Sequence, residues 1–135
     1  MRRNIATGSA WEGVVGYSRA VRVGDTVHVA GTTAIREGRV VAPGDAYAQA
    51  KVALEIVVEA LAECGASAAD VVRTRMFVTD IRDWESVGRA HGEVFADVRP
   101  ASTMVQVTAL IDPDLLVEVE AEAVVGSGTP GVTPP

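Results

Sequence analysis

The stretch that decides the fold is residues 45–79, DAYAQAKVALEIVVEALAECGASAADVVRTRMFVT. Its first part repeats apolar residues every three or four positions. This spacing predicts an amphipathic helix that begins after an Asp45 N-cap and ends at Gly65, a residue suited to a left-handed C-terminal cap. Its last part, residues 71–79, has the two-residue alternation of a β-strand. A helix that leads into a strand therefore forms the centre of the predicted domain.

The strand at 71–79 should present two different faces. One face carries Arg73, Arg75 and Phe77, and the other carries Val72, Thr74, Met76 and Val78. An arginine in the middle of a strand is costly unless it is paired or lies at an interface. Two interpretations stay open for Arg75: an ion pair with Glu118 or Glu120, or a fork that binds a substrate carboxylate.

Similar patterns flank this centre on both sides. Strands are predicted at 14–23 and 26–30, joined by a tight turn, and at 103–110 and 115–125. A second helix should begin at Asp83. The order β-β-α-β-α-β-β predicts an α+β fold with two helices on one face of a sheet. The other face must meet water or another subunit, and the apolar central strands favour an oligomer.

The chain of 135 residues is expected to form one domain, because 48% hydrophobic content is enough for one core. Residues 1–13 are expected to be an N-terminal arm without regular structure. The domain itself should span 14–125. The last ten residues, 126–135, are rich in proline and lack periodicity, so a disordered tail is predicted.

Composition argues against several classes of function. The net charge of −6 disfavours binding to nucleic acid or to an anionic membrane. A single cysteine and two histidines give no basis for a metal site. No apolar run approaches the roughly 20 residues of a membrane span, and the N-terminus does not resemble a signal peptide. A cytoplasmic location is therefore expected. There is no Gly-rich phosphate loop, nucleophile elbow or Cys-x-x-Cys motif.

A few polar and aromatic residues remain as candidates for function. Trp11 is either a plug over one end of the core or a pocket wall. His91, on the apolar stripe of the second helix, is either a packed core residue or a group that donates to a ligand or moves a proton. Tyr17 stands in a predicted strand. The row of glutamates that begins at Glu118 is either a solvated face or the source of a general acid or base.

Four stretches of the sequence resemble one known superfamily. They are GYSRAVRVGDTVHVAGTTA, VVRTRMFVTD and RPASTMVQV with the later LVEVEAEA. In this order they are similar to the RidA/YjgF superfamily, often labelled endoribonuclease L-PSP, over about residues 14–125. The resemblance implies a chorismate-mutase-like fold and a homotrimer whose sheets form a central barrel, with clefts between subunits. It also implies hydrolysis of imines and enamines without a metal or cofactor.

The resemblance also implies roles for individual residues. The cleft tyrosine corresponds to Tyr17, the cleft glutamate to Glu118 and the glycine after the second strand to Gly31. The family's carboxylate-binding arginine lies in a Pro-Ala-Arg block, and its position here is Ser102, so the chain resembles an arginine-less branch. A cleft cysteine corresponds to Met104. An asparagine of the second helix also differs, since glycine stands at position 88.

Two functions follow from this sequence. The first is a hydrolase or deaminase of imine- or enamine-type metabolites, with Glu118, Tyr17 and His91 as catalytic groups and Arg75 as replacement cation. The second is a trimer that binds a small carboxylate or carbonyl metabolite without chemistry. A ribonuclease is disfavoured by the acidic composition and by the lack of a histidine pair.

Overall fold

The computed structural model describes residues 1–128. It contains a main sheet, a small hairpin and two helices. The main-sheet strands are β1 (Arg2–Ile5), β2 (Ala20–Val23), β3 (Thr26–Thr33), β6 (Val71–Val78), β7 (Ala101–Gln106) and β8 (Val117–Val124). The hairpin consists of β4 (Ile35–Arg36) and β5 (Arg39–Val40). The helices are α1 (Ala46–Glu63) and α2 (Trp84–Phe95).

The six strands of the main sheet run in the order β1-β2-β3-β8-β6-β7. All neighbours are antiparallel except β6 and β7, which are parallel and joined through α2. Both helices pack on the same face of the sheet, where α1 crosses β3 and β8. The predicted α+β class with two helices on one face is confirmed.

The core lies between the sheet and the two helices. Helix α1 buries its predicted stripe, including Leu54, Val57 and Leu61, and β8 buries Val117 and Val119 on the same side. Asp45 caps α1 as predicted, because its carboxylate accepts a hydrogen bond from the Ala48 amide at 3.0 Å. The glutamates of β8 alternate with these valines and lie half-buried on the face that the helices leave open.

The loop prediction for residues 1–13 is wrong at Arg2–Ile5, which forms β1 and pairs with β2. The Arg3 guanidinium also donates to the Glu63 carbonyl at the C-terminus of α1. The strand prediction for 14–23 is wrong in its first half. Gly16 adopts φ = 88° at the end of a single π-helical turn, so extended structure resumes only after it.

The end of β7 and the side-chain pattern at the start of β6 differ from the sequence prediction, whereas α2 begins after Asp83, as predicted. Strand β7 ends at Gln106 instead of 110, because its partner β6 ends at Val78. The alternation of the strand predicts that Val72 lies on the same buried face as Thr74. An irregularity in the β6–β8 pairing next to Val72 instead leaves its side chain 43% exposed. Asp83 stands at the start of α2 without a capping side-chain hydrogen bond.

The predicted tail at 126–135 begins with ordered backbone. The Asp70 carboxylate accepts hydrogen bonds from the amides of Gly126 and Gly128, each at 3.1 Å, and from Ser67 at the same distance. The first three residues of that segment are therefore fixed to the start of β6. The rest of the predicted tail, 129–135, lies outside the described residues.

Candidate functional site

The first polar cluster lies where β3 and β8 meet, around Glu118 and Gly31. The β3–β8 pairing is irregular between Val29 and Thr32, and Gly31 lies within this irregular segment. The Glu118 carboxylate lies against Gly31, since a Cβ built there would be 2.9 Å from Glu118 Cδ and 3.3 Å from its Cγ. A glycine at position 31 therefore leaves the space that the carboxylate occupies.

A buried arginine joins the other members of this cluster. Arg19 is only 8% exposed. Its Nη1 donates to the Gly31 carbonyl at 2.6 Å and to Thr32 Oγ1 at 3.0 Å, and its Nη2 donates to the Tyr17 hydroxyl at 3.3 Å. We call Tyr17, Arg19, Gly31, Thr32 and Glu118 the arginine cluster. The Arg19 guanidinium fixes the backbone of Gly31, against which the Glu118 carboxylate packs.

Burial makes Glu118 an unusual carboxylate. Desolvation raises the pKa of Glu118 above its ordinary value, and the neighbouring Glu120 raises this pKa further, whereas the Arg19 cation lowers it. A carboxyl group with a raised pKa holds its proton to a higher pH than an ordinary carboxyl group does, which suits a general acid or base. The electrostatics of the cluster therefore match proton transfer better than simple ion pairing.

A concavity of about 580 Å³ opens on the helix-free face of the sheet. Tyr17 lines it together with Arg75, Glu120 and Glu122. The Arg75 guanidinium lies 2.9 Å from Glu122 and 3.7 Å from Glu120. The ion-pair interpretation predicted Glu120 as one of two alternative partners. Glu118, the other, does not pair with Arg75, and the shortest contact is with Glu122.

The second polar cluster lies on the opposite, helix-covered face, at the free edge of the sheet. Thr74 Oγ1 lies 2.8 Å from His91 Nε2 and 2.8 Å from Ser102 Oγ. Thr74 is fully buried, whereas Ser102 is exposed. We call these three residues the hydroxyl–histidine chain. Because Thr74 and Arg75 are consecutive strand residues, they point to opposite faces, and the structure does not bring Arg75 and His91 together.

His91 is held in an apolar setting. Its ring lies 4.7 Å from the ring of Phe95, measured between centroids. Burial lowers the pKa of His91 below its ordinary value, so the imidazole is neutral at pH 7. A neutral imidazole accepts a hydrogen bond at one ring nitrogen and donates at the other. The chain therefore connects a neutral histidine to the hydroxyl of Ser102 at the surface.

The remaining predicted residues are not members of either cluster. Trp11 is 52% exposed, at the start of the π-helical turn. Met104 packs against the core beside its strand neighbour Met76. Gly88 lies within α2, and a Cβ there would meet open space.

Arg19, Thr32 and Thr74 are the site residues that sequence reasoning missed. A signal for Arg19 existed, because it follows Tyr17 by two positions and an extended backbone places such residues on one side. Thr74 gave no comparable signal, since a threonine on the inner face of a strand is ordinary.

Among residues 1–128 there is no group of three or more His, Cys, Asp or Glu side chains arranged to hold a metal ion. In the same part of the chain, no helix has both the length and the apolar character that a membrane crossing requires.

Comparison with known proteins identifies the family. The family model described as Endoribonuclease L-PSP matches residues 7–125. The chain belongs to this family, and the predicted membership of the RidA/YjgF superfamily is confirmed. It is 46% identical over 125 residues to SCO2049 of Streptomyces coelicolor, covering 93% of each chain. It is 34% identical over 108 residues to the 3-aminoacrylate deaminase RutC of Acinetobacter baylyi, covering 79% of this chain and 85% of that one.

Solved structures agree with this family. The chain superimposes with a TM-score of 0.85 on Rv2704 of Mycobacterium tuberculosis, a member of the YjgF/YER057c/UK114 family. The two sequences are 50% identical, and the alignment covers 93% of this chain and 100% of the other.

Proposed function

We propose that this protein is a cofactor-independent hydrolase that deaminates small imine or enamine acids. The observation that carries the proposal is the half-buried Glu118 carboxyl with its raised pKa, set against Gly31 beside the Arg19–Tyr17 pair. The similarity to a 3-aminoacrylate deaminase supports the same class of substrate.

In the proposed reaction, water adds to the C=N carbon of the imine, and the resulting amino alcohol loses ammonia to leave a carbonyl compound. Glu118 accepts the proton of the attacking water and returns a proton to the leaving nitrogen. The Tyr17 hydroxyl, held by Arg19, is a hydrogen-bond donor for the oxygen that gains charge. One water is consumed and one ammonia is released, so no oxidant or reductant is needed.

We further propose that the protein works as a homotrimer. Within one chain Glu118 and the hydroxyl–histidine chain lie on opposite faces of the sheet, and a second copy would bring the two together in a cleft. Exposed apolar side chains, such as Val105 at 42%, support an interface on this part of the sheet. Such an obligate interface should bury over about 2,000 Å² in total. Light scattering at micromolar concentration should give three times the mass of the chain, and a monomer would contradict the proposal.

Release of ammonia from 3-aminoacrylate and from 2-aminoacrylate, both generated in situ, tests the activity. Glu118→Gln should lower the rate at least about a hundredfold, since it removes the proton-transfer group. Glu63→Gln, at an exposed position on the last turn of α1, is the matched control and should keep the wild-type rate. Equal rates for the two variants would refute the role of Glu118.

A non-catalytic metabolite-binding protein is the second candidate. One observation favours it: the Arg75 charge is balanced by Glu122 and Glu120. The resemblance supports it as well, since it implies that the uncharged Ser102 stands at the position of the family's arginine. Binding of a small carbonyl acid without release of ammonia from either substrate would establish this alternative. We do not propose ribonuclease activity, because His28 is exposed on β3, on the helix-free face, whereas His91 is a residue of α2 that contacts Thr74 on the helix-covered face. The two histidines therefore do not form an acid–base pair.

A further inference from the structure

We propose that Ser102 binds the polar end of the substrate and that the protonation state of His91 decides which group it takes. When His91 is neutral, the hydroxyl–histidine chain accepts an uncharged carboxamide. When His91 is protonated, the same chain selects a carboxylate. This inference rests on the proposed small-molecule cleft, but it does not require that the cleft be catalytic.

The geometry imposes a strict rule on the direction of the hydrogen bonds. Thr74 has one hydroxyl proton and two partners, each at 2.8 Å, so it donates to one and accepts from the other. If His91 Nε2 accepts, Thr74 donates to it, Ser102 donates to Thr74, and Ser102 presents lone pairs to the outside. If His91 Nε2 donates, every bond reverses and Ser102 presents its proton.

A neutral imidazole has two tautomers, so the chain with neutral His91 can take either direction. Ser102 then accepts from an N–H group or donates to a C=O group with equal ease, as a carboxamide requires. An imidazolium donates from both nitrogens and fixes the second direction. Ser102 then offers its proton outward, and the positive charge behind it favours an anionic ligand.

The charged side chains near His91 contact other groups or solvent, so the switch depends on the protonation of the imidazole itself. On α2 its neighbours one turn away are Val87, Gly88, Val94 and Phe95. Strand β7 has no charged residue, and the arginines of β6, Arg73 and Arg75, point to the other face. The nearby charged residues of the helices contact other partners or solvent: Arg89, Glu93 and Lys51 contact Tyr47, Glu55 and Glu59 pair with Arg36, and Asp97 and Arg99 are exposed.

Glu118 is a further group whose titration could affect an anionic ligand in a shared cleft, and His28 lines the concavity on the same helix-free face. The Glu118 carboxyl lies on the helix-free face and makes no hydrogen bond within residues 1–128. A substitution at Thr74 therefore separates the two effects, because it interrupts the hydroxyl–histidine chain and leaves Glu118 in place.

The test compares two matched probes, pyruvate and pyruvamide, which differ in charge and hardly in shape. Calorimetry on the full-length protein between pH 5 and pH 8 measures both affinities. Pyruvate affinity should rise by up to about tenfold per pH unit as the pH falls toward the pKa of His91. Pyruvamide affinity should stay nearly constant. Because protonation of His91 and binding of pyruvate favour each other, pyruvate should raise the pKa of His91, and pyruvamide should not. NMR of the imidazole measures this pKa.

Two variants complete the test. Thr74→Val preserves the shape of the buried side chain and removes its hydroxyl, so it should abolish the part of the pH dependence that belongs to His91. Ser102→Ala, at an exposed position, should weaken both probes. The inference is overturned if pyruvate shows the same pH dependence in Thr74→Val as in the wild type, or if neither probe binds at millimolar concentration. Ammonia release is measured separately, so a protein that binds with this pattern but does not deaminate refutes only the catalytic proposal.

Discussion

The Glu118 carboxylate occupies the space that a side chain at Gly31 would fill. A Cβ at position 31 would overlap Oε2 of Glu118 and lie 2.9 Å from its Cδ. The backbone of Gly31 has no positive φ that would itself call for glycine. The requirement at this position is therefore space for the carboxylate.

Gly31→Ala should displace Glu118 and leave the fold intact, because the carboxylate is the end of a flexible side chain. A displacement of about 1 Å at a catalytic group costs about a hundredfold in rate. Ammonia release and urea denaturation measure the two effects. Gly92→Ala is the control: a Cβ there meets nothing within 4 Å, and the helix should gain up to about 1 kcal/mol. An active Gly31→Ala protein would contradict this arrangement.

Arg19→Met should both destabilise the protein and change the titration of Glu118. Loss of the guanidinium leaves the Gly31 carbonyl and the Thr32 hydroxyl without their donor, which costs about 2–3 kcal/mol in the free energy of unfolding. Loss of the cation should raise the pKa of Glu118 further. Carbon NMR of the carboxyl group measures this pKa. Arg19→Lys keeps the charge and should recover most of the pKa effect, so an identical pKa in all three proteins would disprove the coupling.

Glu118→Gln should stabilise the protein at pH 7. The folded state holds the Glu118 proton more tightly than the unfolded chain does, because burial raises this pKa. The carboxyl therefore contributes most to stability at low pH, and its contribution falls as the pH rises from the unfolded value, about 4.3, through the raised pKa. Urea unfolding should show an advantage for Glu118→Gln at pH 7 that shrinks toward pH 5. An advantage that grows as the pH falls would show that this sign is wrong.

Arg75→Met should change little. The Arg75 side chain is 42% exposed and its partners Glu120 and Glu122 are similarly exposed, so the pair contributes at most about 1 kcal/mol. Its charge is already balanced, and pyruvate affinity should change less than about twofold. Loss of pyruvate binding with an unchanged melting temperature would instead support the carboxylate-fork interpretation of Arg75.

The sequence predicts the sheet and helix layers of this fold better than it predicts the N-terminal segment. The stripe on α1 and the alternation in β8 each have one buried face, and burial enforces their period. The polar segment Arg2–Ile5 has no such pattern, and it becomes a strand because β2 offers a free edge. No local pattern shows the contact between Arg19 and Gly31 either. It arises from the pairing of β2 with β3 and the irregular segment next to Thr32.

The last prediction rests on our proposal that Ser102 stands where other family members have a carboxylate-binding arginine. The guanidinium of an arginine at this position would supply a charged hydrogen bond to the substrate carboxylate. Such a bond to a buried carboxylate is worth about 3 kcal/mol, or about a hundredfold in rate. The wild-type protein should therefore act on 2-aminoacrylate about a hundredfold more slowly than a family member that has the arginine.

Ser102→Arg should recover much of this factor and should remove the pH dependence of pyruvate binding, since a permanent cation replaces the hydroxyl–histidine chain. Thr103→Arg is the matched control. It adds the same charge one residue further along β7, on the opposite face of the strand, and should leave the rate unchanged. Rates of ammonia release from 2-aminoacrylate distinguish the two variants. If both arginines raise the rate equally, general electrostatic attraction explains the gain, and position 102 has no special place in the cleft.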